Sequence, residues 1–200
     1  MTAAFRYFAR PHTFSGYSAQ PMLCAFCGEE RLCYPGPFLG LTDEEAICED
    51  CLVSGRLQGA DLTTNNGDAR ALRRQLRERH PELSEAEVER LSRERTDEIE
   101  ARTPSPLTWQ DFLWPAHCGD YCRYIKEVGQ PEIIALASDG DGPAYLLTHA
   151  DMVSDLEHAR EVWEGVRPDA PSDLTISYSV GVYLFECLVC GERILLWDCD

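Results

Sequence analysis

Cys24-Ala-Phe-Cys27-Gly28, and then Ile47-Cys48-Glu49-Asp50-Cys51, is the stretch that decides how the rest of the chain is read. The two C-x2-C pairs are separated by twenty residues, counted from Gly28 to Ile47, the signature of a four-thiolate zinc site. Structural zinc takes four tetrahedral ligands and accepts thiolate sulfur readily. A tight turn carrying two cysteines points both sulfurs at one place, and Gly28 supplies the positive φ that such a turn needs. Cys24, Cys27, Cys48 and Cys51 are therefore the first expected zinc ligands. The competing readings are two disulfides or four unrelated buried thiols.

Further along, Cys187-Leu-Val-Cys190-Gly191 repeats the same tip. Two thiolates leave zinc short of two ligands. Cys118 and Cys122 supply them if they share one face of a helical turn, as residues four apart do. His117 is the alternative ligand, able to replace Cys118 because imidazole nitrogen also binds zinc. The second expected set is thus Cys118, Cys122, Cys187 and Cys190, making two structural zinc ions. Cys33 and Cys199 fall outside both sets and read as structural.

A chain of 200 residues can bury a core without staples, so metal here shapes local loops. The charge is unusual. Eighteen basic and 35 acidic residues give −17, and residues 101–200 hold 17 acids and 6 bases, net −11. That field repels phosphate backbones and anionic lipid and steers a basic protein partner inward; it also serves solubility alone. No apolar run reaches the length of a membrane span, and the opening residues lack the apolar stretch of a signal peptide. The expected location is a reducing cytoplasm, where ten cysteines read as metal ligands before disulfides.

Between the cysteine pairs the patterning is mixed. Residues 1–22 read as an aromatic arm laid on the core, and a hairpin brackets Cys24 and Cys27, stopped by Pro35-Gly36-Pro37. Residues 68–79 read as a helix with Leu72 and Leu76 one turn apart. Pro81 ends it, and Ser84 with Glu87 forms a capping box for a second helix, stapled by Leu83 and Val88. Five arginines between Arg70 and Arg79 read as a solvated face. Thr103-Pro104-Ser105-Pro106 marks a boundary. Residues 132–137 read as a buried strand, and Ser138-Asp139-Gly140-Asp141-Gly142 as a turn. Thr148 and Asp151 are expected to cap a helix whose stripe is Met152, Leu156, Ala159 and Trp163. Residues 174–185 and 193–197 read as two strands joined by the Cys187/Cys190 tip. The expected fold class is α+β: zinc-knuckle β-hairpins, a charged helical insertion, and a C-terminal antiparallel sheet packed on a helix. The expected segments are 1–66 (zinc-ribbon-like), 67–102 (charged helical) and 103–200 (α+β, second site), within one compact domain if they pack together.

Several motifs together resemble the CbrC family of bacterial proteins. They are Phe5-Arg6-Tyr7-Phe8 with Pro11, the two N-terminal cysteine pairs with Gly55, Tyr34-Pro35-Gly36-Pro37, Arg102-Thr103-Pro104 and Trp109-Gln110 with Trp114. His117-Cys118-Gly119-Asp120-Tyr121-Cys122 and Leu184-Phe185-Glu186-Cys187-x2-Cys190-Gly191 complete the set. The chain departs from that family's Pro-Trp between the second cysteines, carrying Glu49-Asp50. The resemblance implies no chemistry, only an association with tolerance to a nuclease bacteriocin.

The function expected is a non-enzymatic, zinc-binding protein that acts on a basic partner, a nuclease toxin being the one the resemblance implies. Acidic residues 43–45, 139–141 and 151–164 are its expected contacts. A metalloenzyme is disfavoured because four thiolates close a site that catalysis needs open. No H-E-x-x-H, deaminase, dinucleotide-binding, P-loop or nucleophile-elbow motif is present. A thiol redox sensor is the further alternative, since C-x-x-C pairs can cycle. No nucleic-acid or membrane partner is expected.

Overall fold

In the computed structural model, residues 5–35, 45–60, 62–171 and 178–200 are described. The elements in order are α1 (Pro11–Phe14), β1 (Met22–Leu23), β2 (Glu30–Arg31), β3 (Cys33–Pro35), β4 (Ala46–Cys48), α2 (Glu49–Val53) and β5 (Asn66–Gly67). Then come α3 (Ala69–Arg79), α4 (Glu85–Arg102), β6 (Leu113–Trp114), β7 (Ala116–His117), β8 (Asp120–Tyr121) and β9 (Arg123–Glu127). The chain ends with α5 (Gln130–Leu136), α6 (Gly142–His149), α7 (Leu156–Gly165), β10 (Val180–Glu186) and β11 (Arg193–Cys199). Helices and small sheets intermix, which is α+β.

The central element is β10, the middle strand of an antiparallel sheet ordered β11-β10-β9. Its sequence Val-Gly-Val-Tyr-Leu-Phe is buried from end to end, because both faces of the sheet are covered. Successive side chains of a strand point to opposite faces, and here that alternation separates two cores. Val180, Val182 and Leu184, with Leu195 opposite Leu184, pack with Val128, Ile133, Leu146 and Val162. Tyr183 and Phe185, with Leu196 opposite Tyr183, pack with Phe8, Phe14, Trp114 and Tyr124. Helices α5 to α7 therefore cover one face, and the aromatic residues, cysteine hairpins and α3/α4 the other. A β-bulge in β9 lets Leu184 face Lys126 while Phe185 faces Tyr124.

The aromatic arm lies along β9. Tyr124 N–H donates to Tyr7 O at 2.8 Å and Ala9 N–H to Tyr124 O at 2.9 Å, and Tyr7, Phe8 and Phe14 are buried. Trp114 is fully buried, its ring edge-on to Phe185 with centroids 5.3 Å apart. Its indole Nε1–H donates to Cys122 O at 2.7 Å. Residues 103–106 are tied inward: Thr103 is buried, and its carbonyl accepts from Thr64 Oγ1 and from Asn65 Nδ2 at 3.0 Å. The aromatic core draws side chains from all three expected segments, Leu52, Leu72 and Phe185 among them.

Helices α3 and α4 start where their caps place them. Asp68 accepts from Ala71 N–H at 2.9 Å, and Ser84 with Glu87 completes a reciprocal capping box. Leu72, Leu76, Val88 and Ile99 are buried, and Arg77 pairs with Glu85 across the junction at 2.7 Å.

Two expectations are corrected. Residues 132–136 belong to α5, not to a strand, and Ala137 caps its C-terminal end. Pro131 sits in its first turn and Glu132 accepts from Gly129 N–H at 3.1 Å. A six-residue apolar run carries no period of its own, and this start signal outweighs it. Nor do Thr148 and Asp151 cap the next helix. Thr148 lies inside α6, and Asp155 caps α7 by accepting from His158 N–H at 2.9 Å. Met152 is excluded from that helix, with φ 57° and 75% exposure, while Ala159 and Val162 fill its buried stripe. The first C-terminal strand begins at Val180. The expected strand residues 174–177, the stop at 36–37 and the acidic residues 43 and 44 lie outside the described residues.

Truncating Trp114 to Ala empties a buried aromatic site and orphans the Cys122 carbonyl, so it should cost about 3–5 kcal/mol. Leu113→Ala, at a 59% exposed neighbour, should change stability by about 0.5 kcal/mol or less. Urea unfolding followed by tryptophan fluorescence and circular dichroism distinguishes the two.

Candidate metal centre

Cys24 and Cys27 stand at the tip between β1 and β2. The turn closes through Gly28 N–H to Cys24 O at 2.9 Å and Cys24 N–H to Glu29 O at 3.0 Å. Gly28 has φ 72°, a conformation that side-chain-bearing residues rarely adopt. The second tip repeats this geometry: Gly191 N–H reaches Cys187 O at 3.0 Å, Cys187 N–H reaches Glu192 O at 2.8 Å, and Gly191 has φ 73°. Each turn carries one buried and one exposed sulfur, Cys24 with Cys27 and Cys187 with Cys190.

The first tip meets Cys48, at the end of β4, and Cys51, in the first turn of α2. The four sulfurs all lie within 4.8 Å of one another. Tetrahedral zinc–sulfur bonds of about 2.3 Å would place sulfurs about 3.8 Å apart; Cys27 Sγ and Cys48 Sγ are 3.9 Å apart. Cys24, Cys48 and Cys51 are buried and Cys27 is exposed. Burial pushes the Cys24 thiol up, but the backbone amides of Cys48, Cys27 and Phe26 outweigh it and bring it down to about 7. One of these is Cys48 N–H, 3.3 Å from Cys24 Sγ. Burial pushes Cys51 well up, reinforced by the three sulfurs facing it. A divalent cation would relieve that crowding of thiolates.

The second tip meets Cys118, as expected, but with His117 in the place expected for Cys122. His117, Cys118, Cys187 and Cys190 form the second set, with ligand atoms within 4.8 Å of one another. Cys118 Sγ lies 3.6 Å from Cys190 Sγ, and His117 Nδ1 lies 3.3 and 3.4 Å from those two sulfurs. The same tetrahedral arithmetic puts nitrogen and sulfur about 3.6 Å apart. His117 thus joins Cys118 instead of replacing it, and Cys122 falls outside the group.

The reason is local. Cys118 and Gly119 are not in a helical turn. They are the two central residues of a hairpin between β7 and β8, with φ of 57° and 79°. Two successive positive φ values are the mark of a tight two-residue hairpin turn. Cys122 leaves along the far strand, where its N–H donates to Pro115 O at 2.9 Å, and it is buried in the aromatic core. Burial, with Cys187 and Cys190 nearby, raises its thiol strongly. At Cys118 burial and the same two sulfurs push the thiol to about 11, whereas the Glu192 amide lowers exposed Cys190.

Residues with no cysteine-like signature hold this hairpin in place. Gln75 of α3 accepts from Gly119 N–H at 3.1 Å and donates to Ala116 O at 2.6 Å. Arg95 of α4 donates to Gly119 O. Buried Asp120 accepts from Tyr7 Oη–H at 2.8 Å and from its neighbour's N–H, Tyr121, at 2.9 Å, and pairs with Arg6. The charged helices thus brace the second site, and only their packing reveals it. Cys33 is buried beside the first set, its thiol pushed up to about 12 by burial and the adjacent sulfurs. Cys199 lies at the end of β11, away from both sets. All ten cysteines are free thiols.

A family model described as uncharacterised protein family UPF0167 matches residues 2–199. The chain belongs to the UPF0167 family. UPF0167 proteins of Mycobacterium bovis and of Mycobacterium tuberculosis are each 26% identical over 204 residues, covering 97% of this chain and 91% of theirs. One from Pseudomonas aeruginosa is 23% identical over 195 residues, covering 94% and 92%. No solved structure matches. These matches correct the resemblance to the CbrC family: family model and relatives alike are UPF0167. The motifs behind that resemblance are turn cysteines and buried aromatics, which report on folding before they report on kinship. The bacteriocin association rested on the resemblance alone and goes with it.

Metal analysis of single variants tests the two sets. Cys27→Ser should remove the ion of the first set and leave the second. His117→Ala should remove or weaken the second ion, whereas Cys122→Ser should retain both ions. Mass spectrometry of the intact protein under non-denaturing conditions reads each case, and ion loss in Cys122→Ser would restore that thiol to the ligand list.

Proposed function

We propose that this protein is a non-enzymatic binding protein whose hairpins are locked by two structural zinc ions, and that its partner is a basic protein. The observation that carries the metal part is the convergence of four donor atoms in each set, all within 4.8 Å. Sulfur-rich tetrahedral donor sets suit zinc, and also iron–sulfur clusters; a colourless protein containing zinc and no iron supports the first. A closed four-ligand set leaves no open position for substrate or water, which favours a structural role over catalysis. Free thiols throughout fit a reducing compartment, consistent with cytoplasmic residence. No helix among the described residues is long and apolar enough to cross a membrane.

The partner reading rests on charge. Net −17 disfavours nucleic acid and favours a cationic protein. Helix α7 carries an exposed acidic face, with Glu157, Glu161 and Glu164 on the helix and Asp151 and Asp155 before it. Met152 and Leu156 are exposed among those acids, so an apolar contact is available inside an acidic rim, an arrangement that suits a partner pairing arginines or lysines with an apolar anchor. Asp139 and Asp141, also exposed, precede the neighbouring helix α6.

Two measurements test this. Protein purified under reducing conditions without added metal should hold two zinc ions per chain. Capture of a cationic partner should be strong at low salt, fall at high salt, and drop further in the double variant Glu157→Lys, Glu161→Lys. Capture that is insensitive to both salt and the double variant would overturn the acidic-face reading.

A further inference from the structure

Cys33 belongs to neither four-atom set, yet β3 places it directly opposite Cys48, one of the first set's sulfurs. Cys33 N–H donates to Ser18 Oγ at 2.8 Å, and Cys33 O accepts from Ser18 N–H at the same distance. Both main-chain groups of Cys33 therefore point away from β4. Cys48 N–H likewise points outward, toward Cys24 Sγ. The two cysteines thus form a non-hydrogen-bonded antiparallel pair, the closer of the two kinds, with Cα atoms typically about 4.5 Å apart and side chains on one face. A disulfide requires Cα atoms about 4.4–6.8 Å apart, a range that a pair of this kind falls in. Cys33 Sγ now only hydrogen-bonds to carbonyl oxygens, Arg31 O at 3.3 Å and Met22 O at 3.7 Å.

We propose that Cys33 is a resolving thiol that forms a cross-strand disulfide with Cys48 when a peroxide oxidises the first set, withdrawing Cys48 from the metal. The reading rests on the first set holding an ion. Cys27 is the exposed sulfur of the set and meets the oxidant first. Its thiolate attacks one peroxide oxygen, the O–O bond breaks, and sulfenic acid and hydroxide result, the hydroxide taking a proton from solvent. Cys48 Sγ, 3.9 Å away, attacks the sulfenic sulfur and expels hydroxide, giving a Cys27–Cys48 disulfide. Cys33, giving its proton to the expelled hydroxide, then attacks the Cys48 sulfur as thiolate and releases Cys27 as thiolate. In sum two thiols lose two protons and two electrons, and one hydrogen peroxide becomes two waters. Cys27 is regenerated, but the set keeps only three sulfurs and its ion is released.

The test uses the full chain, zinc-loaded and treated with hydrogen peroxide. Released zinc is followed with a chromogenic chelator, and disulfides are mapped without reduction. Cleavage after Glu45 and Glu49 separates Cys33, Cys48 and Cys51. The expected result is a Cys33–Cys48 linked peptide that appears with release of one ion and disappears on adding dithiothreitol and zinc. Cys33→Ser, and Cys33→Ala as a second variant, should bind zinc normally before oxidation, give no Cys33–Cys48 peptide after it, and leave Cys48 paired with Cys27. A map of the oxidised wild-type chain in which Cys33 stays reduced while the ion leaves would overturn the proposal. Protein that holds no zinc from the outset would overturn the metal reading instead, and the same map would still decide whether Cys33 and Cys48 pair.

Discussion

Burial of both faces of β10 is the constraint on which the rest of the structure depends. A seven-residue strand whose alternate side chains must each find a core obliges the chain to supply two. The valine and leucine face is covered by α5 to α7. The Tyr183 and Phe185 face is covered by the N-terminal arm, Trp114 and the elements that carry the cysteines. Because β10 runs on from Glu186 into the Cys187 tip, the sheet fixes where one of the two cysteine turns stands, and the aromatic layer beneath it fixes the β7–β8 hairpin that this turn meets.

The two donor sets are alike in outline and different in chemistry. Each has a glycine-closed knuckle with one exposed sulfur, Cys27 in the first and Cys190 in the second. The first gathers four sulfurs, and its partners lie on a strand end and a short helix that follow directly in sequence. The second gathers three sulfurs and one imidazole, from segments about seventy residues apart, counted from His117 and Cys118 to Cys187 and Cys190. A site closed by such distant segments ties β7–β8 to β10–β11, whereas the first ties one excursion of chain to itself. Local folding and metal occupancy are coupled in such sites, and an ion in each set would act on two different scales.

The arginines of α3 and α4 show how charge can mislead in a linear reading. They form exposed pairs with glutamates, Arg77 with Glu85 and Arg90 with Glu94, and such pairs stabilise little individually. The members that matter are those turned inward. Arg95 and Gln75 fasten the Gly119 backbone, and Asp120 anchors the same hairpin through Tyr7 and Arg6. What reads as a solvated insertion is, on its inner edge, the brace of the second donor set.

The sequence by itself determined the elements whose causes are local. The knuckles at Cys24 and Cys187, the capping box at Ser84 and Glu87, and the Leu72/Leu76 stripe each depend on residues within a turn of one another. The gathering of Cys24, Cys27, Cys48 and Cys51 was legible too, from two C-x2-C pairs twenty residues apart. Other features were present in the sequence but ambiguous. Residues 132–137 read as a strand until the Gly129–Glu132 contact made residues 130–136 a helix, and the cap expected at Thr148 and Asp151 fell instead to Asp155, which holds the His158 amide. Only the tertiary structure decided that His117 stands with Cys118 while Cys122 does not. A helical turn and a two-residue hairpin place residues four apart on opposite terms, and nothing in His-Cys-Gly-Asp-Tyr-Cys chooses between them. The hairpin wins because α3, α4 and the aromatic core hold its backbone, contacts made by residues far away in the chain.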